Sequence, residues 1–229
     1  MKIHGLQKMT LLDYPGKVAC TVFFGGCDLR CPFCHNSDLL DMNAPALMEE
    51  EELLSFLKSR QGLLEGVCFT GGEPLMRPEL PELCRQIKAL GYPIKLDTNG
   101  FRPGPLRRLM EEGLIDYVAM DIKNAPARYG ETTGRQNLDL APLYESITLL
   151  KEGRVDYEFR TTVVAQFHDD SVFPLIGEMI SGARRYFLQK FTDRDSVLFA
   201  GLEAPAEEEM RRWAGIMKQY VENTELRGV

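Results

Sequence analysis

Apolar residues recur along the chain in two alternating rhythms, and the alternation predicts the architecture. Short continuous or period-two apolar runs, which read as strands, fall at 18–24, 66–69, 94–96, 117–120, 158–164 and 185–188. Between them, apolar positions three and four apart predict helices over 49–59, 79–90, 105–112, 140–151, 172–181 and 205–221. Acidic triplets, Glu49-Glu50-Glu51 and Glu207-Glu208-Glu209, open two of these helices, where negative charge meets the positive end of the helix dipole. Gly91, Gly113 and Gly153 stand where three helices should end, the position that favours a left-handed backbone. Strands alternating with helices in this way predict an α/β fold, a parallel sheet covered by helices with right-handed crossovers. No linker-like stretch or repeat interrupts the pattern, so residues 1–229 are expected to form a single domain, with 1–17 as a lead-in.

Composition narrows the function classes. Apolar residues make up 44% of the 229 and charged residues 27%, an ordinary globular balance. The formal net charge of -7, with no basic stripe, argues against a nucleic-acid partner. The longest apolar run, around Val18 to Phe24, is far short of the roughly 20 residues a bilayer span needs. The first residues carry no apolar signal region, so a cytoplasmic location is expected. In a reducing compartment the six cysteines should be thiols. Cys20, Cys68 and Cys84 sit in apolar or helical patterns and read as buried small hydrophobes.

The other three are grouped: Cys27, Cys31 and Cys34 form a CxxxCxxC triplet in a loop, 25–36, that follows the first strand. Soft thiolates at that spacing select zinc, copper or an iron-sulfur cluster. His35 is the nearest fourth ligand for a closed zinc site, but it directly follows Cys34 and no second CxxC exists. In a parallel α/β sheet, chemistry collects where the strands end. The next three strands end in Thr70-Gly71-Gly72-Glu73-Pro74, Asp97-Thr98-Asn99-Gly100 and Asp121-Ile122-Lys123. Paired glycines let backbone approach a ligand closely, and Asp121 and Lys123, two apart, can face one side. Arg160 is a rare charge in an apolar strand and should face the mouth of the site or a carboxylate.

The triplet with Phe33 before its last cysteine, followed by Gly71-Gly72-Glu73-Pro74, resembles the signature of radical S-adenosylmethionine (SAM) enzymes. Leu11-Leu12-Asp13-Tyr14-Pro15-Gly16, Cys34-His35-Asn36, Asp97-Thr98-Asn99-Gly100 and Asp121-Ile122-Lys123 extend the likeness to the glycyl-radical-enzyme activating branch. Within it the chain is most similar to activators of anaerobic ribonucleoside-triphosphate reductase, and pyruvate formate-lyase activators share nearly the same motifs. The resemblance implies a partial (β/α)6 barrel, in keeping with the six alternations. It implies one 4Fe-4S cluster on Cys27, Cys31 and Cys34, whose fourth iron takes the amino and carboxylate groups of S-adenosyl-L-methionine. Reductive cleavage would then generate a radical that removes a hydrogen atom from a glycine of a partner enzyme.

Roles for the remaining motifs follow from the resemblance. Backbone carbonyls at Gly71 and Gly72, or the Glu73 carboxylate, would receive the methionine amino group, and Asn36 would contact the cofactor. Asp97 and Thr98 would help form a monovalent-cation site near the cofactor carboxylate. Lys123 would pair that carboxylate, Asp121 would bind a hydroxyl or orient Lys123, and Arg160 would meet cofactor or substrate peptide. Residues 35–66 contain no further cysteine, so a single cluster would draw its electron from an external flavodoxin or ferredoxin. Pyruvate formate-lyase activators place a histidine over the adenosine near the last strand, where this chain reads Leu188-Gln189-Lys190-Phe191. His168 reads as a solvated loop residue, and His4 and Trp213 as structural. Two other readings stand beside the activase: a small-molecule radical SAM enzyme, and a zinc-binding interaction module.

Overall fold

The computed structural model describes all 229 residues. Ten strands form: β1 (Lys2–Ile3), β2 (Gly5–Thr10), β3 (Ala19–Phe24), β4 (Met48–Glu49), β5 (Gly66–Gly71), β6 (Ile94–Thr98), β7 (Tyr117–Asp121), β8 (Asp156–Val163), β9 (Tyr186–Lys190) and β10 (Thr224–Arg227). Seven helices accompany them: α1 (Glu50–Ser59), α2 (Leu80–Ala89), α3 (Pro103–Glu111), α4 (Tyr129–Thr133), α5 (Ala141–Lys151), α6 (Val172–Ile180) and α7 (Glu207–Met217). The main sheet runs β10-β9-β8-β7-β6-β5-β3-β2, parallel throughout except for β2 against β3. The α/β class and the six strands of the alternation are thus present.

The sheet does not close, because β10 and β2 remain its two edges, yet it curls strongly. Five strand steps separate β3 from β9, about 24 Å in a flat sheet at 4.8 Å a step. The ring of His35, after β3, nevertheless stacks on Phe191, after β9, at 5.5 Å. Curling brings the carboxyl ends of the strands into one mouth and splits the residues into two layers. On the outside, helices press apolar stripes such as Leu80, Leu83, Cys84 and Ile87 of α2 onto Val67, Phe69, Ile94 and Leu96. Truncating one such leucine to alanine costs about 2–5 kcal/mol. Helix ends follow local chemistry: Glu52 accepts the Glu49 N–H at 2.9 Å, and Gly91, Gly113 and Gly153 take φ of +91°, +64° and +75°.

Five elements lie outside the predicted pattern: the two-residue strands β1 and β4, which pair with each other, and β2, β10 and α4. Residues 5–10 of the expected lead-in form β2, an antiparallel edge strand whose exposed centre, Gln7-Lys8-Met9, shows no buried alternation. A lysine on such an edge discourages pairing with another chain. Strand β10 reads Thr-Glu-Leu-Arg and is held by long-range contacts, its Arg227 donating to Glu158 at 2.7 and 2.9 Å. Helix α4 is a single short turn followed by Gly134 in the left-handed region. Cys20, Cys68 and Cys84 are fully buried, as expected, and all six cysteines are unpaired. No helix is long and apolar enough to cross a membrane.

Candidate active site

The loop after β3 is held from several directions. Gly25 N–H donates to His4 Nδ1 at 2.9 Å, Arg77 donates to Gly25 O, and Gly26 N–H reaches Leu39 O at 2.7 Å. Arg30 N–H donates to Thr133 O of α4 at 2.9 Å, and Arg135 to Asp28 O at 2.9 Å. From the far side the segment after β9 crosses the loop: His35 Nε2 meets Thr192 O at 2.7 Å, Ser196 Oγ donates to His35 O at 2.7 Å, and Phe199 N–H reaches Pro32 O at 3.2 Å. His35 is thereby spent on packing and hydrogen bonding, away from a fourth-ligand role. His4 and Trp213 serve structure as expected, the indole of Trp213 donating to Asp170 at 2.6 Å.

Cys27, Cys31 and Cys34 all line one cleft of about 240 Å³ at the mouth of the curled sheet. No three donors among the His, Cys, Asp and Glu side chains converge tightly enough to hold a single ion. Three soft donors spread around one cavity fit a polynuclear cluster, whereas a closed zinc site needs four donors on one centre. Burial pushes the Cys27 and Cys31 thiols up, to about 12 and about 11, and raises Cys34 as well. Such thiols are protonated near neutrality, so ligation must displace their protons. Leu29 N–H points at Cys27 Sγ at 3.4 Å, a donor that favours the thiolate.

Gly71 and Gly72 line the cleft, but their closest approach is to protein backbone. At Gly71, with φ +118°, a Cβ would lie 2.4 Å from Phe24 N and O, and at Gly72 it would lie 2.1 Å from Gly26 O. The glycines therefore seat the loop after β5 against the cysteine loop, with Asn36 Nδ2 donating to Gly71 O at 3.0 Å. Glu73 corrects an expectation. Its carboxylate is fully buried outside the cleft lining and accepts from Thr98 Oγ1 at 2.9 Å, Asn99 N–H at 2.8 Å and Leu75 N–H at 3.1 Å. With its oxygens turned to these donors, it braces the β5 and β6 loops rather than receiving an amino group. Burial raises its pKa to about 7 against the pull of those donors.

Asp97, Asp121, Lys123 and Arg160 meet in the cleft as a ladder of alternating charge. Arg160 donates to Asp97 Oδ2 at 3.0 Å and to Asp121 Oδ1 at 2.6 Å, and Lys123 Nζ sits 2.7 Å from Asp121 Oδ2. The other oxygen of Asp97 takes Lys95, a buried residue that the sequence reading passed over inside an apolar strand. Burial pushes both carboxyls up, but Arg160 with Lys95 or Lys123 outweighs it and holds both below the usual range. Burial likewise pulls Lys123 and Arg160 down, and their carboxylate partners more than reverse it. Asp97 is thus shared by two cations, and the Thr98 hydroxyl donates to Glu73.

His168 is a second correction. It is 2% exposed, accepts the Val164 N–H on Nδ1 at 3.1 Å, and its Nε2 meets Lys123 O at 3.0 Å. Burial lowers its pKa, so the neutral ring carries its proton on Nε2 and pins the Lys123 backbone. A loop histidine four residues after Val164 gives no sequence signal for this, because the partner is remote in the chain. Where a histidine was missing from the end of the last predicted strand, Gln189 lines the cleft beside Thr162. Phe33 packs on Phe167 at 5.8 Å and forms an apolar wall of the cleft.

Residues 21–172 match the family model of the radical SAM superfamily. The chain is 30% identical over 235 residues to a candidate glycyl-radical enzyme activating enzyme of Methanocaldococcus jannaschii, across 99% of this chain and 96% of that protein. It is 36% identical over 128 residues to the pyruvate formate-lyase-activating enzyme of Clostridium pasteurianum, across 54% of this chain and 52% of that one. Among solved structures, a domain of a pyruvate-formate lyase-activating enzyme from Bacteroides vulgatus has a TM-score of 0.59 at 20% identity, covering 71% of this chain and 99% of that domain. That likeness is one of fold.

Proposed function

The chain belongs to the radical SAM superfamily and, within it, to the glycyl-radical enzyme activating enzymes, and on that premise we propose that it reductively cleaves S-adenosylmethionine and installs a glycyl radical on anaerobic ribonucleoside-triphosphate reductase. The family makes it an oxidoreductase that uses a 4Fe-4S cluster and SAM. The observation that carries the reading is one cleft shared by Cys27, Cys31 and Cys34 with Asp121, Lys123 and Arg160. When bound, the cluster and SAM supply the one-electron cleavage of a sulfonium C–S bond and the hydrogen-atom abstraction that follows.

The protein's own residues do the rest. Cys27, Cys31 and Cys34 would hold the cluster as thiolates, and three ligands leave one metal position for the methionine amino and carboxylate groups. Lys123 and Arg160 would meet that carboxylate, with Asp121 and Asp97 orienting them. Backbone carbonyls of the cleft-lining Thr70, Gly71 and Gly72, in place of Glu73, would receive the amino group. Asn36, Thr162 and Gln189 would contact the nucleoside. Leu29 and Phe33 would exclude water and stray hydrogen donors. A monovalent cation at Asp97 and Thr98 would share Asp97 with Lys95 and Arg160.

The reductase is proposed as partner on the strand-end motifs alone, which are most similar to those of its activators, and pyruvate formate-lyase is the alternative, since an activator of that enzyme from Listeria monocytogenes is 29% identical across 74% of this chain. One cysteine triplet implies one cluster, reduced by an external flavodoxin or ferredoxin, in a cytoplasmic setting that keeps six thiols free. Incubating the reduced protein anaerobically with SAM and the reductase should give a glycyl-radical electron spin resonance doublet on the reductase. A doublet on pyruvate formate-lyase alone would replace the partner, and none on either would reject the activase reading.

A further inference from the structure

Asn99 directly follows β6, lines the cleft and is 6% exposed. Four hydrogen bonds fix it. Its backbone N–H donates to Glu73 Oε2 at 2.8 Å, and its side-chain Oδ1 accepts the Phe101 N–H at 3.0 Å. Its Nδ2 donates to Asp28 Oδ1 at 2.9 Å and to Cys27 Sγ at 3.9 Å. Asp28 is itself anchored, its other oxygen taking Arg102 at 3.1 Å and its backbone carbonyl taking Arg135 at 2.9 Å. A flipped amide would set N–H against N–H at Phe101 and oxygen against oxygen at Asp28, so the side chain has one orientation. Of its two amide hydrogens, Asp28 takes one and the other is left for the sulfur. Leu29 N–H meets the same sulfur at 3.4 Å, and Asn99 is the one side chain that donates to any sulfur of the triplet.

One-electron reduction adds a unit of negative charge to an iron-sulfur cluster and its thiolates without taking up a proton. Hydrogen bonds to the sulfurs stabilise that charge and are among the levers that set the potential. Around Cys27 the environment otherwise opposes it: burial disfavours an anionic sulfur, and the carboxylates of Glu73 and Asp28 add to the effect. We propose that Asn99 is a positioning residue acting through Cys27: its amide, held with the NH2 group toward the sulfur, stabilises the reduced cluster and raises the potential at which it accepts one electron from an external carrier. The carrier is oxidised by one electron and the cluster reduced by one, and no bond is made or broken. The inference rests on the reading that the triplet holds a 4Fe-4S cluster, and it adds how this chain eases the reduction of that cluster.

The test is an anaerobic redox titration of the reconstituted, full-length protein, followed by the electron spin resonance signal of the reduced cluster, with iron content and melting temperature taken on the same samples. Asn99→Leu keeps the backbone bond to Glu73 and removes both amide donors. Its midpoint should fall by about 40 mV, roughly a fivefold change in the one-electron equilibrium at 59 mV per tenfold, the usual net worth of one hydrogen bond. Electron-nuclear double resonance of the reduced wild type should show a proton coupling that disappears on exchange into D2O and is missing from Asn99→Leu, a readout that a merely structural residue would not move. Asn99→Ser, too short to reach the sulfur, gives the same two readings if Asn99→Leu fails to fold. An unchanged or raised midpoint, or a coupling that survives the substitution, would overturn the role of Asn99. Loss of the cluster from both variants would overturn it too, leaving Asn99 to the fold alone. A wild type that takes up no iron would instead reject the cluster reading beneath it.

Discussion

Replacing Gly72 by alanine tests whether the two loops at the mouth of the sheet are locked together as their geometry requires. The new Cβ would sit 2.1 Å from Gly26 O and 2.6 Å from Gly26 C. Both are backbone atoms, so no side-chain rotation relieves the clash, and a carbon to carbonyl oxygen approach of about 3.3 Å demands roughly 1 Å of movement. That shift breaks the bond from Glu73 N–H to Gly26 O at 2.8 Å and strains the one from Gly26 N–H to Leu39 O at 2.7 Å. A buried polar group left unsatisfied costs about 1–3 kcal/mol, so Gly72→Ala should destabilise the protein by about 2–5 kcal/mol. At about 2–4 °C per kcal/mol for a chain of this size, the melting temperature should fall by roughly 5–15 °C. Because Gly26 adjoins Cys27, bound iron should fall too. Gly215→Ala is the control: it has nothing within 4 Å, lies inside α7, and should gain about 0.5–1 kcal/mol. Thermal melts with iron analysis read both variants, and a Gly72→Ala protein with wild-type melting and iron content would refute the locked-loop reasoning.

Arg160→Met leaves Asp97 paired with Lys95 and Asp121 with Lys123, so no buried charge is stranded and urea unfolding should show a loss of about 1–3 kcal/mol, that of the hydrogen bonds from Arg160 to the two carboxylates; no loss would show the ladder to be slack. Glu73 binds a proton more tightly folded than unfolded, its pKa rising from 4.5 to about 7. Its contribution to stability is therefore present below about pH 4.5 and lost as the pH rises through about 7, a fall that Glu73→Gln should abolish when unfolding is followed from pH 4 to 8. Cys68→Ala should keep its full iron content, because Cys68 lies away from the cleft, and iron loss in that variant would contradict the assignment of the cluster to the other three.

The parts of the fold legible in the sequence are those whose signal is local. Strands such as Ala19–Phe24 and Tyr117–Asp121 are buried on both faces and read as continuous apolar runs. Strands β2 and β10 are edges, and their apolar content is too thin to register. Likewise the triplet and the strand-end motifs located the cleft, since loops after parallel strands must converge there. Orientation was not legible. Glu73 turns inward to three donors, and His168 folds back onto Lys123 O, through contacts 25 and 45 residues distant in the chain. Lys95 was hidden because a lysine between Ile94 and Leu96 is indistinguishable from one facing solvent until the curl of the sheet is known.

The most direct measurement of the central claim is 5'-deoxyadenosine formed from SAM by the anaerobically reconstituted, dithionite-reduced protein, with iron content determined on the same sample. Cleavage is expected in the wild type, with about four irons per chain, the content of one cubane cluster. Alanine at Cys27, Cys31 or Cys34 should abolish it. Zinc in place of iron with no cleavage, or cleavage that survives Cys31→Ala, would contradict the assignment.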